Sequence, residues 1–227
     1  MKTKLFIVVL LVALLPACQP AAPNFTGRWT TSASIVTLNQ EDDKVTGSVE
    51  GHGGYWNFTV SGTVSSSILT FKGGDTSLPS LPAIVLSEDG QTFHSADPNG
   101  AFCGTRAESL PEGCGYTGTW KLKADFLPAG SIAKLTQSGA SLTGAVYGPD
   151  GAVLAQINAT VSWSKGKYAS GINEWGEFTI GLATDEQSIE LIVPGQPGWS
   201  DMGSPQWCGI REDLTSVFTG AFECAIP

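Results

Sequence analysis

The feature that most constrains the fold of this chain is an internal repeat. Phe-Thr-Gly-Arg-Trp at 25–29 recurs as Tyr-Thr-Gly-Thr-Trp at 116–120, Leu-Asn-Gln at 38–40 as Leu-Thr-Gln at 135–137, and Phe-Cys-Gly-Thr-Arg at 102–106 as Trp-Cys-Gly-Ile-Arg at 207–211. The order is kept while the offset grows from 91 to 97 to 105 residues, as two related modules with loop insertions require. The repeat predicts two modules, residues 25–114 and 115–227, joined near residues 112–115 with almost no linker.

Within each module the hydrophobic pattern has period two, which is typical of half-buried β-strands. Apolar and polar residues alternate over 56–64 and again over 153–163, and turn residues at 65–66 and 88–90 separate short apolar runs. About eight such runs fit in each module without a helical stretch between them, so consecutive strands must be antiparallel. Because closure pairs the edge strands, the pattern predicts an all-β protein made of two tandem antiparallel meander β-barrels, each of about eight short strands.

The composition narrows the classes of partner. The chain has 28 Gly, only 15% charged residues and a formal net charge of −9. It contains no basic run that could follow a phosphate backbone, so we expect no nucleic-acid partner.

The amino terminus has the layout of an export signal. Lys2 and Lys4 precede an unbroken apolar run over 5–15 that is too short to span a bilayer as a helix. Removing residues 1–17 as a signal peptide would change the net charge from −9 to −11.

The end of this run, Leu-Pro-Ala-Cys at 15–18, resembles the lipobox of bacterial lipoproteins. The resemblance implies cleavage before Cys18, acylation of that cysteine with fatty acids such as palmitate, and a short tether over 18–24. It places the protein in the bacterial cell envelope, anchored by lipid and facing away from the cytoplasm, and Gln19 implies the outer membrane in a diderm. The alternative is an ordinary signal peptide cut after Ala17, which leaves a free thiol.

The Gly-x-Trp on the first predicted strand and the Arg on the last resemble the calycin group of β-barrels, which contains lipocalins, fatty-acid-binding proteins, avidins and bacterial metalloprotease inhibitors. In that group the Trp closes one end of the barrel and the Arg lies across it. The resemblance implies two structural pairs, Trp29 with Arg106 and Trp120 with Arg211. Cation–π attraction in such a pair is worth about 0.5 to 2 kcal/mol. The residues after each Trp do not reproduce an avidin-like biotin site, so biotin binding is not expected.

Four cysteines remain after Cys18, and they admit three pairings. Because Cys103 aligns with Cys208 in the repeat, the economical choice pairs Cys103 with Cys114 and Cys208 with Cys224. Each disulfide would hold the segment after the last strand against its own barrel, and an exported location favours oxidation. The cysteine spacings do not match a zinc site, so we expect no metal.

Catalytic motifs are absent from the sequence, and we expect neither an enzyme nor a cofactor. His52 lies in a glycine-rich turn, and His94 is expected at the surface. Short acidic clusters at 41–43, 88–89, 185–186 and 212–213 fall at predicted turns or strand ends, where carboxylates are usually solvated.

A barrel of eight strands is wide enough either to fill itself with side chains or to hold one small ligand. The predicted inward row of module two, from Val153 to Val161, contains smaller side chains than the row that starts at Trp56 in module one, so module two is the better candidate for a cavity. The aromatic and loop residues that could line or fill it are Trp163, Tyr168, Trp175, Trp199 and Met202.

These observations predict a non-catalytic binding module for a small apolar or amphiphilic ligand. The alternative is a protein-facing role, such as protease inhibition or envelope assembly, carried by loops such as 194–205.

Overall fold

The computed structural model of the chain describes residues 22–54, 56–72, 81–97, 100–162, 168–183, 185–192, 207–212, 216–218 and 223–225. The elements in this part of the chain are β-strands, and they confirm the predicted all-β class. No helix in these ranges has the length and apolarity needed to cross a membrane.

The first eight strands form a closed antiparallel barrel, here barrel 1. In chain order they are β1 (Gly27–Thr31), β2 (Ser34–Glu41), β3 (Lys44–Gly51), β4 (Asn57–Ser65), β5 (Ile68–Phe71), β6 (Ile84–Leu86), β7 (Thr92–Ser95) and β8 (Cys103–Thr105). Each strand pairs with the next, and β8 returns to β1 through the pairs Thr30–Thr105 and Thr31–Gly104.

The next eight strands form a second closed antiparallel barrel, here barrel 2. They are β9 (Gly118–Ala124), β10 (Ile132–Ser138), β11 (Ser141–Tyr147), β12 (Val153–Ser162), β13 (Tyr168–Asn173), β14 (Gly176–Leu182), β15 (Ser188–Ile192) and β16 (Trp207–Arg211). Barrel 2 closes through β16 and β9, from the pair Trp207–Ala124 to the pair Arg211–Trp120. The predicted pair of tandem meander barrels is therefore confirmed, and the architecture is consistent with a calycin-like fold.

A last hairpin of β17 (Ser216–Phe218) and β18 (Glu223–Ala225) follows barrel 2 and lies against β16. Ser188 and Ile210 pair on neighbouring strands β15 and β16, and both are fully buried.

Each barrel has its own hydrophobic core, as the alternating pattern requires. Trp29 in barrel 1 and Trp120 in barrel 2 are the largest fully buried side chains. In barrel 2 the aliphatic and aromatic side chains packed with Trp120 include Leu122, Leu135, Leu142, Ile157, Phe178 and Ile180. The described interior of barrel 2 is therefore packed with side chains around Trp120.

The predicted inward row of β12 is correct in its centre and wrong at its start. The positions that belong to the core or pack against it are Ala155, Ile157, Ala159 and Val161. Val153 is instead 52% exposed. The register with β11 shifts between Val146 and Tyr147 and leaves Leu154 as an extra residue. This β-bulge reverses the alternation, so Val153 faces outward.

Residues 106–117 connect the barrels and contain the predicted join. This connector runs along the β10–β11 turn of barrel 2. Leu110 N donates to Gln137 O at 2.9 Å, and Gly139 N donates to Glu108 O at 3.2 Å. The connector is thus bonded to barrel 2 through its backbone.

Candidate functional site

One end of each barrel carries a Trp–Arg stack. The Arg106 guanidinium carbon lies 4.1 Å from the centroid of the Trp29 ring, and that of Arg211 lies 4.2 Å from the centroid of Trp120. Arg211 ends β16, whereas Arg106 follows the last residue of β8. Both pairs have the arrangement that the calycin resemblance implies. We call this end the Trp–Arg end of each barrel.

Each arginine also ties one turn to the segment before the first strand of its barrel by donating to three backbone carbonyls. Arg106 donates to Gly90 O, Thr26 O and Asn24 O at 2.8, 2.7 and 2.7 Å. Arg211 donates to Glu186 O, Thr117 O and Gly115 O at 3.0, 2.8 and 2.7 Å. The repeat therefore extends to individual hydrogen bonds, with Gly90 equivalent to Glu186 and Asn24 equivalent to Gly115.

The glycine of Gly-x-Trp is needed because the arginine occupies the space of a side chain. Gly27 has φ +135° and Gly118 has φ +141°, a region that L side chains rarely adopt. A Cβ at Gly27 would overlap Arg106 Nη1, and one at Gly118 would lie 2.7 Å from Arg211 Nη1. Glycine, tryptophan and arginine thus form one packing unit.

The two Trp–Arg ends differ in what covers them. At barrel 1 the N-terminal residues lie there, since Gln40 Nε2 donates to Pro23 O at 3.1 Å. At barrel 2 the equivalent amide, Gln137 Nε2, donates to Ser32 O of the β1–β2 turn at 2.8 Å. Barrel 2 thus docks its Trp–Arg end against the opposite end of barrel 1.

Glu186 completes this docking contact. Its carboxylate accepts hydrogen bonds from Ser32 Oγ of barrel 1 and from Gly115 N of the connector, both at 2.6 Å. The side chain is 2% exposed. Asp185–Glu186 was predicted to be a solvated acidic pair, and this prediction is wrong for Glu186 because a neighbouring barrel covers the turn.

The alignment of the two modules singles out Glu186, whereas the hydrophobic periodicity does not. The equivalent turns read Asp89-Gly90-Gln91 and Asp185-Glu186-Gln187. Gly90 has φ +68° and Glu186 has φ +57°. A position with left-handed backbone conformation is normally occupied by Gly, Asn or Asp, but in barrel 2 it carries Glu. This exception indicates that the Glu186 side chain makes a specific contact.

The Cys103–Cys114 disulfide predicted from the repeat is confirmed, with Cα atoms 5.9 Å apart. It ties the connector to the start of β8. Cys208 is also disulfide-bonded. The side chain of Cys224 lies outside the described residues, so its pairing with Cys208 stays a prediction.

Glu186 also lies beside this disulfide. One ligand atom each from Cys103, Cys114 and Glu186 falls within 4.8 Å of the others. Both sulfur atoms are bonded to each other in the disulfide, so they do not form a thiolate metal site.

The opposite end of barrel 2, here called the rim, is formed by the turns 125–131, 148–152 and 174–175. Phe126 and Trp175 meet there edge to face, with ring centroids 5.8 Å apart. Phe126 is 44% exposed, while Trp175 is partly buried and packs against the barrel core. Sequence reasoning selected Trp175 and missed Phe126, because a single aromatic residue in a turn carries no periodic signal.

The other residues predicted to contact a ligand are not brought together with Trp175 in the described structure. Tyr168 begins β13 at the end of the strand remote from the rim, and it shares the exposed outer face with Ser170 and Ile172. It cannot line the interior, because alternate residues of a strand point to opposite faces. Trp163, Trp199 and Met202 lie outside the described residues, as does Cys18.

Two open clefts lie at the Trp–Arg ends. The cleft at barrel 1 has a volume of about 960 Å³ and is bordered by residues 22–24, the turn 87–91 and Arg106. The cleft at barrel 2 has about 480 Å³ and is bordered by residues 112–113, 118–119 and Arg211. In both, the arginine donates to backbone carbonyls of the protein itself.

The two histidines differ in environment. His52 is buried, and its Nε2 donates to Thr31 O at 3.0 Å. Loss of hydration in this site lowers the pKa of His52 below the ordinary value of 6.5. His94 is exposed on β7, as predicted.

No family model, no curated protein and no solved structure matches this chain.

Proposed function

We propose that this chain is a non-catalytic binding module of the bacterial cell envelope, anchored through lipid on Cys18, and that it binds a small apolar or amphiphilic molecule at the rim of barrel 2. The observation that carries the proposal is the Phe126–Trp175 pair. An aromatic pair that is partly exposed at the end of a closed barrel offers a flat apolar surface with little conformational entropy to lose.

Residues next to the pair favour binding at the mouth of the barrel and not deep inside it. Partly buried apolar side chains at this end of the barrel pack against the core, namely Ala124, Leu127 and Leu154. Their small or flexible side chains border the rim, whereas Trp120 and Phe178 occupy the interior. A ligand seated against the aromatic pair would cover apolar surface without displacing this core.

The way in which the barrels dock also supports the rim of barrel 2 as the binding site. The N-terminal residues lie at the Trp–Arg end of barrel 1, and barrel 2 is docked against the opposite end of barrel 1. A strand of seven residues, such as β9, gives a barrel height of about 18 Å after tilting. If Cys18 carries the lipid, the rim points away from the membrane, roughly 35 Å from the tether.

Charge restricts the ligand. The whole chain carries a net charge of −9, so a neutral or cationic amphiphile is favoured over an anionic one. Anionic lipid surfaces are poor partners for the same reason.

A protein partner is the second candidate. Phe126 is exposed, and an aromatic residue beside a partly buried one is a common anchor in protein interfaces. Under this alternative the rim contacts an envelope protein, and the loop that contains Trp199 is expected to contribute.

The test is titration of the full-length protein with the neutral fluorescent probe N-phenyl-1-naphthylamine and with a neutral and a cationic detergent below their micelle concentrations. We expect Phe126→Ala with Trp175→Ala to weaken binding of at least one probe by about tenfold or more. The matched control is Ile68→Ala, because Ile68 is 39% exposed on barrel 1. Equal binding by the wild-type protein and the rim variant would refute the rim as a ligand site.

Native mass spectrometry of protein purified without refolding separates the two candidates. A co-purifying small molecule that is lost from the rim variant supports ligand binding. A partner captured from envelope extract and lost on Trp199→Ala, with no small molecule present, supports the protein-facing role.

A further inference from the structure

We infer that the Cys103–Cys114 disulfide and the buried Glu186 carboxylate form a single redox-sensitive lock that holds barrel 2 against barrel 1. The inference concerns the arrangement of the barrels and does not depend on what the rim binds.

The lock starts from a buried carboxylate that accepts hydrogen bonds from both barrel 1 and the connector. Glu186 belongs to barrel 2, Ser32 to barrel 1 and Gly115 to the connector, and the two donors approach the carboxylate at 2.6 Å each. A buried carboxylate is tolerated when such hydrogen bonds replace its hydration, and it is costly when one donor is withdrawn. Docking is therefore favourable only while both donors stay in place.

Barrel 1 shows that this contact is specific to barrel 2. Its equivalent turn carries Gly90 in place of Glu186, although both turns receive the Nε hydrogen bond of the local arginine. The Trp–Arg end of barrel 1 thus has the same arginine hydrogen bonds without a carboxylate in the turn. Glu186 was not needed to build the barrel end, and its contacts are those of the docking surface.

The disulfide holds the two donors, one in barrel 1 and one in the connector, close to each other. Gly115 directly follows Cys114, and Cys114 is bonded to Cys103 at the start of β8 in barrel 1. Cys103 Sγ lies 3.9 Å from Glu186 Oε2. The Gly115 amide is also held from its other side, because its carbonyl accepts from Arg211 at 2.7 Å. The disulfide therefore fixes the amide between barrel 1 and the arginine of barrel 2.

Reduction would release this constraint. A dithiol reductant attacks through its thiolate at Cys103, whose side chain is partly exposed, whereas Cys114 is 2% exposed. The S–S bond breaks and Cys114 leaves as a thiolate. The second thiol of the reductant then displaces Cys103, so the reductant becomes a disulfide. Both cysteines take up protons and become thiols. The connector stays bonded to barrel 2 through its backbone but is then tied to barrel 1 only by chain continuity, so the Ser32 donor of barrel 1 is free to leave Glu186.

The test is hydrogen exchange of the full chain, oxidised and after treatment with a dithiol. We expect exchange of the Gly115 amide, which is buried at the barrel contact, to rise by about tenfold or more on reduction, while amides within β3 and β11 keep their rates. Glu186→Gln should produce the same local increase in the oxidised protein. Reduction of that variant should add little, because both changes open the same contact.

Two controls separate this lock from other effects. Cys103→Ser with Cys114→Ser should reproduce reduction, which assigns the effect to this disulfide and not to that of Cys208. Glu88→Gln changes an exposed acid in the equivalent turn of barrel 1 and should leave the exchange unchanged. Exchange that rises throughout barrel 1, or effects of reduction and Glu186→Gln that add independently, would overturn the inference.

Discussion

Replacing Arg211 by methionine should destabilise the protein far more than the same replacement of Arg106, although both arginines make the same contacts. Methionine keeps much of the volume over the indole ring and removes the charge and the donors. The two sites differ in access to water. Arg211 is 7% exposed, although it borders the smaller cleft, whereas Arg106 is partly exposed at the larger one.

The expected magnitudes follow from the carbonyl groups that each arginine leaves behind. Arg211 donates to three carbonyl oxygens at 3.0 Å or less, and all three bonds are buried. A hydrogen bond from a charged donor contributes about 1.5 to 3 kcal/mol, and a buried carbonyl without a partner costs about 1 to 3 kcal/mol. Since such contributions are not additive, we expect a total loss of about 4 kcal/mol for Arg211→Met. At Arg106 water can replace the lost donors, so the expected loss is about 1 to 2 kcal/mol.

Urea unfolding followed by tryptophan fluorescence measures the difference. With a slope of about 2 kcal/mol per molar urea, the midpoint should fall by about 2 M for Arg211→Met and by less than about 1 M for Arg106→Met. The control is Arg28→Met, because Arg28 is exposed on β1 next to Trp29. Equal shifts for the Arg106 and Arg211 variants would refute the reasoning, since burial would then not determine the cost.

Two further outcomes test the local structure. Burial lowers the pKa of His52, so the unfolded chain binds a proton more readily than the folded one. The free energy of unfolding should therefore have its full value above about pH 6.5. It should decline as the pH falls below that value, by at most about 1.4 kcal/mol per pH unit. His52→Gln should remove this decline and His94→Gln should keep it; a decline that persists in His52→Gln contradicts the assignment. Gly118→Ala should cost about 2 to 4 kcal/mol in urea unfolding because its φ is +141° and its Cβ would meet Arg211, whereas Gly151→Ala, at φ +81° with open space around it, should cost about 1 kcal/mol. Similar losses for both glycines would show that the contact with Arg211 is unimportant.

The amino-acid sequence by itself determined the number of barrels, their strand pattern and the Trp–Arg ends. These are local or repeated features. Period-two alternation reports which face of a strand is apolar, and closure follows from pairing the edge strands. Duplication of Trp29 and Arg106 as Trp120 and Arg211 made each pair visible twice, and the same alignment selected the Cys103–Cys114 disulfide.

Only the tertiary structure decided the burial and contacts of residues whose environment comes from another part of the chain. Glu186 looks like any acidic turn residue until barrel 1 covers it and Ser32 supplies a donor. Val153 follows the apolar alternation, yet a one-residue register shift turns it outward. Phe126 and Trp175 become neighbours only when two turns meet at the rim. Burial by a second barrel, bulges in a pairing partner and contacts between turns depend on residues distant in sequence, so no pattern within a single segment contains them.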